Sequence, residues 1–206
     1  LWLLGAQGVM GQRQILNIGE SQAAGLGPVR IGMPLSISPD STRFYTGRAM
    51  SRALQLFISW FNSEHGGVLV EGNRRSVEIT LVDDLSNGSA ALEGARMLLD
   101  TGVQLFLGPV GDSLTRPVAE EVHRRGGTMV APVAFLHEIF RGRPQVFGIE
   151  PPPRRALPEA FMQLAAMPDP PRSVAYFAED AEAWAQVCSN VQSLAQSHNM
   201  QYLGGA

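Results

Sequence analysis

Serines, histidines and paired carboxylates are the side chains of this sequence that could do chemistry, and their spacing decides what they can do. Gly111-Asp112-Ser113-Leu114-Thr115 begins as a nucleophile elbow does, but the second glycine, which lets strand and helix approach at the sharp turn, is replaced by Thr115. His137-Glu138 begins a zinc-protease helix motif, but the second histidine, due four residues on, is Arg141. His65, His123, His137 and His198 have no metal-ligand spacing and read as solvated or capping groups. Asp83-Asp84 invites a metal reading, but at the end of an apolar run these carboxylates are better suited to ordering the loop that follows. Gly25-Leu26-Gly27 precedes a strand, whereas a dinucleotide fingerprint follows one. All 16 basic residues are arginine, which excludes Schiff-base and P-loop lysine chemistry. The single cysteine, Cys188, cannot form an internal disulfide and reads as a small apolar side chain on a helix. These residues predict no catalytic group, no metal and no cofactor.

The elements that position them follow from periodicity. Of 206 residues, 45% are hydrophobic and 17% charged, enough apolar surface for a core. The net charge of −3 offers no basic surface for nucleic acid. Val29 to Met33 reads as a strand ended by Pro34, with loop chemistry from Ser36 to Thr42. Gly47 to Ser63 reads as a helix whose apolar face is Met50, Leu54, Phe57 and Phe61, widened by Ala53, Leu56 and Trp60. Further strands are predicted at 76–82, 103–107, 128–131 and 146–149, with helices at 89–100 and from Asp112-Ser113 to Arg125 between them. Strands alternating with helices predict right-handed βαβ units and one mainly parallel sheet.

Three segments frame this core. Residues 1–28 read as a signal-peptide remnant (Leu1-Trp2-Leu3-Leu4, then Ala6 and Gly8) and a linker without period. Residues 29–150 form a first lobe. The run from Glu150 through Pro151-Pro152-Pro153 to Arg155 is a candidate crossing into a second lobe over 151–206. There a helix at 156–167, a strand at 173–177, a helix at 181–197 and a strand starting at Met200 leave apolar faces uncovered, so a truncated second lobe is expected. No stretch after the N-terminus reaches the ~18 apolar residues of a membrane span.

Several landmarks, in order, resemble the type I periplasmic-binding-protein-like family, which includes branched-chain amino-acid-binding proteins and receptor ligand-binding regions. Ile31-Gly32 with Pro34-Leu35-Ser36 is similar to its opening strand and turn. Phe61-Asn62 with Gly66-Gly67 is similar to its first helix end, and Val77 to Asp84 to its second strand. Gly102-Val103 with Leu107-Gly108, Met129 to Pro132, Val146-Phe147 with Pro151, and Val174 to Tyr176 follow in register. The resemblance implies an α/β fold of two lobes, each a mainly parallel sheet flanked by helices, with a hinge and ligand closure in the cleft between them.

It also implies a site. The ligand loop matches Gly111, Asp112 and Ser113 at a helix N-terminus, and the loop after the fourth strand matches Val133, Ala134 and Phe135. Trp184 matches the region from which a second-lobe aromatic faces the ligand. Asp112 stands where serine is common and would repel a ligand carboxylate. Phe135 replaces a threonine that helps grip an amino acid. Ser86 and Gly111 occupy positions joined by a disulfide in some bacterial members.

The expected function is capture of a small polar, amino-acid-like ligand outside the cytoplasm. The partners would be a membrane transporter or a receptor signalling domain, and not nucleic acid. Two other readings stay open: an α/β hydrolase-like enzyme using Ser113, and an interaction module of the same fold that has lost its ligand.

Overall fold

The seven residues Val29–Leu35 are apolar on both faces apart from Arg30, and such a strand is stable only when both faces are covered. The computed structural model, which describes residues 8–10, 13–19, 27–151, 155, 157–180 and 182–206, places this strand at the centre of a seven-stranded sheet. The chain divides into two compact units, one formed by residues 1–134 and 138–149, the other by 135–137 and 150–206.

The elements of the first unit are β1 (Gly8–Met10), β2 (Arg13–Ile18), β3 (Val29–Leu35), α1 (Phe44–His65), β4 (Val68–Val70), β5 (Asn73–Arg75), β6 (Val77–Asp83), α2 (Gly88–Asp100), β7 (Leu105–Leu107), α3 (Asp112–Arg124), β8 (Thr128–Ala131), α4 (His137–Phe140) and β9 (Val146–Gly148). Helix α4 begins in the residues grouped with the second unit. The sheet order is β1-β2-β6-β3-β7-β8-β9. The five strands expected to run together, β3, β6, β7, β8 and β9, are parallel throughout. Strand β3 pairs with β6 over its whole length, from Val29 opposite Val77 to Leu35 opposite Asp83, and with β7 at Ile31 and Gly32 only. Beyond Gly32 no β7 ladder is demanded of the strand, which leaves a place for Pro34, and the strand runs on to Leu35 rather than ending at the proline.

The pleat divides the core. Ile31, Met33 and Leu35, with Val77, Ile79 and Leu81, pack with Leu54, Ile58 and Phe61 of α1. Val82 points the other way, where Gly94 of α2 approaches it. Right-handed crossovers place α1 and α2 on opposite faces because β6 and β7 lie on opposite sides of β3. Two side chains fasten the helices. Asn62 near the end of α1 donates to Val77 O and accepts from Val77 N, both at 2.9 Å, and so acts as a short strand partner for β6. Asn87 caps α2 by accepting from Ser89 N and Ala90 N.

Several expectations are corrected. Residues 9–28 were expected to be a linker, but β2 lies antiparallel to β6 with Ile18 in the core, and β1 pairs antiparallel with β2. The signal-peptide reading rests on residues 1–7 and Gly8, and residues 1–7 lie outside the described residues. A hairpin, β4 and β5, intervenes before β6; its turn residues Glu71 and Gly72 both have positive φ, as a tight two-residue hairpin turn requires. Strand β7 is shorter than expected and starts at Leu105.

Helix α1 keeps Met50, Leu54 and Phe61 of the expected face against the core but is turned so that Ile58, and not Phe57, completes it. Gly47, Ser51 and Ile58 are buried and Leu54 and Phe61 half-buried, whereas Leu56, Phe57 and Trp60 are exposed. The close approach at Gly47 accounts for the rotation. A Cβ there would lie 2.0 Å from Ser36 O, so only glycine can face the strand end. At about 100° per residue, positions 51, 54, 58 and 61 then follow it inward, and Leu56 falls on the opposite side.

In the second unit, α5 (Pro158–Ala165), α6 (Glu182–Cys188) and α7 (Val191–Ser197) accompany β10 (Ser173–Tyr176) and β11 (Gln201–Gly205), which pair in parallel. Phe161, Val191, Ala195 and Met200 form their core. The single helix expected over 181–197 is two, divided at Ser189-Asn190.

Replacing Gly47 by alanine should lower stability by about 1–3 kcal/mol through overpacking against Ser36. The urea midpoint should fall with an unchanged slope; a midpoint equal to the parent's would mean that the helix does not approach so closely.

Candidate functional site

At the carboxyl ends of the parallel strands, the first groups to find partners are the two aspartates that close β6. Asp83 and Asp84 are fully buried. Ile37 N and Leu85 N donate to Asp83 Oδ1, both at 3.1 Å, and the Ser38 hydroxyl donates to Oδ2. Asp84 Oδ1 accepts from Ser36 Oγ at 2.5 Å and Ser86 N at 2.8 Å. Each aspartate thus holds the N–H two residues on, which keeps Leu85 and Ser86 at φ values of 51° and 54°. That is an uncommon backbone for side chains of this kind and needs such ties. The Ser86 hydroxyl lies 2.9 Å from Ser36 Oγ and accepts from Arg43 N at 3.0 Å. The loops after β3 and β6 are therefore one hydrogen-bonded body, and the aspartates order the loop as their place in the sequence suggested.

The loop after β7 is fastened differently. Gly111 has φ 94° and ψ 152°, and it caps α3 without a side-chain hydrogen bond. Its N–H donates to Val133 O at 2.9 Å, which ties the loop after β7 to the loop after β8. Thr115, at the position where a nucleophile elbow needs glycine, is fully buried, with its hydroxyl 2.8 Å from Gly111 O and 3.0 Å from Pro109 O. The hydroxyl that spoils the catalytic motif thus holds the loop.

Of the residues expected to form a site, Gly111, Asp112, Ser113, Val133 and Ala134 share the first unit, at the ends of adjacent strands β7 and β8. Ser113 is exposed, Gly111, Asp112 and Val133 are half-buried, and Ala134 is fully buried, backbone included. Phe135 is grouped with the second unit and is half-buried. Trp184 lies on α6 of that unit and is 47% exposed.

The sheet adds a residue that the sequence did not single out. Strand β3 continues to β6 on one side, while β7 lies on its other side, so the order reverses between β3 and β7; in open α/β sheets ligands bind outside such a point. The loop after β3 ends at Arg43, whose Nε and Nη2 are each 3.6 Å from the place a Cβ would occupy on Gly111. An arginine directly before the first helix was the available signal, but nothing in the spacing linked it to Gly111, 68 residues on.

Electrostatics at this edge are uneven. Burial pushes the Asp84 carboxyl above its ordinary value; the Ser36 and Ser86 hydrogen bonds oppose this, the Asp83 charge adds to it, and the Arg43 charge opposes it. Oδ2 of Asp84 is buried without a hydrogen-bond partner among the described residues. The native state therefore holds this proton to a higher pH than the unfolded chain does. The stabilisation is fully present below the unfolded value and is lost as pH rises through the folded one. Asp84→Asn, which cannot ionise, should escape that loss. Its stability relative to the parent should rise between about pH 3 and pH 7 in urea denaturation, and a flat or falling difference would count against the shift.

A family model described as "Periplasmic binding protein" matches residues 28–206. No curated protein matches the sequence significantly. Among solved structures, an ABC transporter substrate-binding protein from Desulfitobacterium hafniense in complex with Leu is 18% identical with a TM-score of 0.70, over 86% of this chain and 50% of that one. A solute binding protein of an ABC transporter from Rhodopseudomonas palustris BisB5, in complex with 3,4-dihydroxy benzoic acid, is 13% identical with a TM-score of 0.71, over 86% and 46%. A branched-chain amino acid transporter substrate binding protein from Streptococcus pneumoniae, in complex with isoleucine, is 16% identical with a TM-score of 0.66, over 86% and 49%. The chain spans about half the length of these structures.

Proposed function

This chain belongs to the periplasmic binding protein family, and from that premise we propose that it is the ligand-holding part of a solute-binding protein that captures a small carboxylate outside the cytoplasm and delivers it to an ABC-type membrane transporter. The observation that carries the reading is the meeting of the β7 and β8 loops, through Gly111 N–H and Val133 O, beside the reversal of strand order. Such an edge offers backbone donors from the first turn of α3 and a hydroxyl from Ser113. Those groups bind and orient a ligand; they do not activate a nucleophile. Binding rather than hydrolysis is therefore the reading this edge supports.

The ligand class rests on the same groups and on what the similar structures hold, namely leucine, isoleucine and a hydroxylated benzoate. All are small molecules with one carboxylate. Aromatic acids join the candidates because one of the similar structures holds a hydroxylated benzoate.

Calorimetric titration of the full-length protein with leucine, isoleucine, benzoate and 3,4-dihydroxybenzoate tests this. At least one should bind, and Ser113→Ala should weaken it by about 1–3 kcal/mol through loss of one hydrogen bond. Failure of all four would sink the proposed ligand class, and an unchanged affinity in the variant would remove Ser113 from the site.

A further inference from the structure

We propose that Arg43 is the specificity-determining residue of this site, its guanidinium taking the carboxylate of the ligand through paired N–H donors. The proposal rests on the solute-binding reading above and deepens it, since it assigns the group that selects a ligand carrying one carboxylate.

The placement comes from the fold. Arg43 is the last residue before α1, in the loop that leaves the central strand, and it faces Gly111 across the point where the strand order reverses. Its backbone is anchored, with N donating to Ser86 Oγ and O accepting from Gly47 N at 2.9 Å. Its side chain is not. The guanidinium makes no hydrogen bond and no ion pair with the described residues, although the residue is half-buried. An arginine head carries five N–H donors in a planar fork that matches a carboxylate, and it stays charged at every physiological pH. A half-buried cation of this kind, held on a fixed backbone and left with open donors, is prepared for an anion.

Two alternatives are weaker. The first is a structural tie. Arg43 stands between Ser86 and Gly111, positions that a disulfide joins in some bacterial members of the family and that hold no cysteine here. If the side chain replaced that link, it would bond to the Gly111 loop, and it only lies beside it. The second is neutralisation by Asp84, the carboxylate whose charge it feels. Arg43 makes no ion pair with Asp84 among the described residues, and Oδ1 of Asp84 accepts from Ser36 and Ser86 instead.

The test uses the full-length protein, the member of the four-acid panel that binds, and the primary amide of that acid. The parent should prefer the acid over the amide by about 10–100-fold, the range of a charge-assisted hydrogen bond. Arg43→Met should lose that factor for the acid, bind the amide about as the parent does, and melt at the parent's temperature because its side chain bonds to nothing. Should the methionine variant melt lower, Arg43→Lys, which keeps the charge and stem but not the fork, should show an intermediate loss at the parent's melting temperature. Full acid affinity and full discrimination in both variants would overturn the role of Arg43 and leave the solute-binding reading standing. Binding of none of the four acids by the parent would overturn that reading, and the proposal with it.

Discussion

Two carboxylates buried at the end of a central strand need donors, and here the donors come from the loops that build the candidate site. A buried carboxylate left without partners is several kcal/mol unfavourable. Asp83 and Asp84 avoid this by recruiting Ser36, Ile37 and Ser38 from one loop and Leu85 and Ser86 from another. The loops are thereby fixed to the sheet and to each other. The left-handed backbone at Leu85 and Ser86, the start of α1 and the anchoring of Arg43 all follow from that recruitment. The same packing forces Gly47 against the Ser36 carbonyl, and so sets the rotation of α1 over the core.

The second half of the edge uses no charge. Thr115 holds the loop after β7 from within α3, and Gly111 N–H reaches Val133 on the neighbouring loop. Rigid loops on a covered parallel sheet are what binding sites of this architecture require, because a ligand group is then met by donors that need no reorganisation. The positions that depart from the amino-acid-binding pattern, Asp112 and Phe135, lie at this edge or directly follow it in sequence. None of them carries the core.

On α1, Phe61 keeps to the core while its neighbours Phe57 and Trp60 turn outward. Phe57 stacks on Phe61 at 5.7 Å and tilts against Trp60 at 5.9 Å, and Trp60 meets His65 edge-on at 4.9 Å. Periodicity had counted Phe57, Phe61 and Trp60 in one wide core face. A helix with apolar residues over most of its circumference has no single hydrophobic phase, and the steric demand of one glycine decided which residues went inside.

By itself, the sequence determined the parallel α/β class, the five strands of the parallel core and the end of α1 at Gly66, because alternation and helix-ending glycines act locally. Family membership was legible for the same reason, as an ordered series of local landmarks. Tertiary structure alone decided the rest. Strand β2 was hidden because its six residues lack a clear alternation, and it becomes a strand when β6 offers it a ladder. The break at Ser189-Asn190 and the phase of α1 depend on what each helix packs against. Arg43 meets Gly111 only because the sheet places β3 beside β7, and a juxtaposition across 68 residues is set by strand order, which no local pattern encodes.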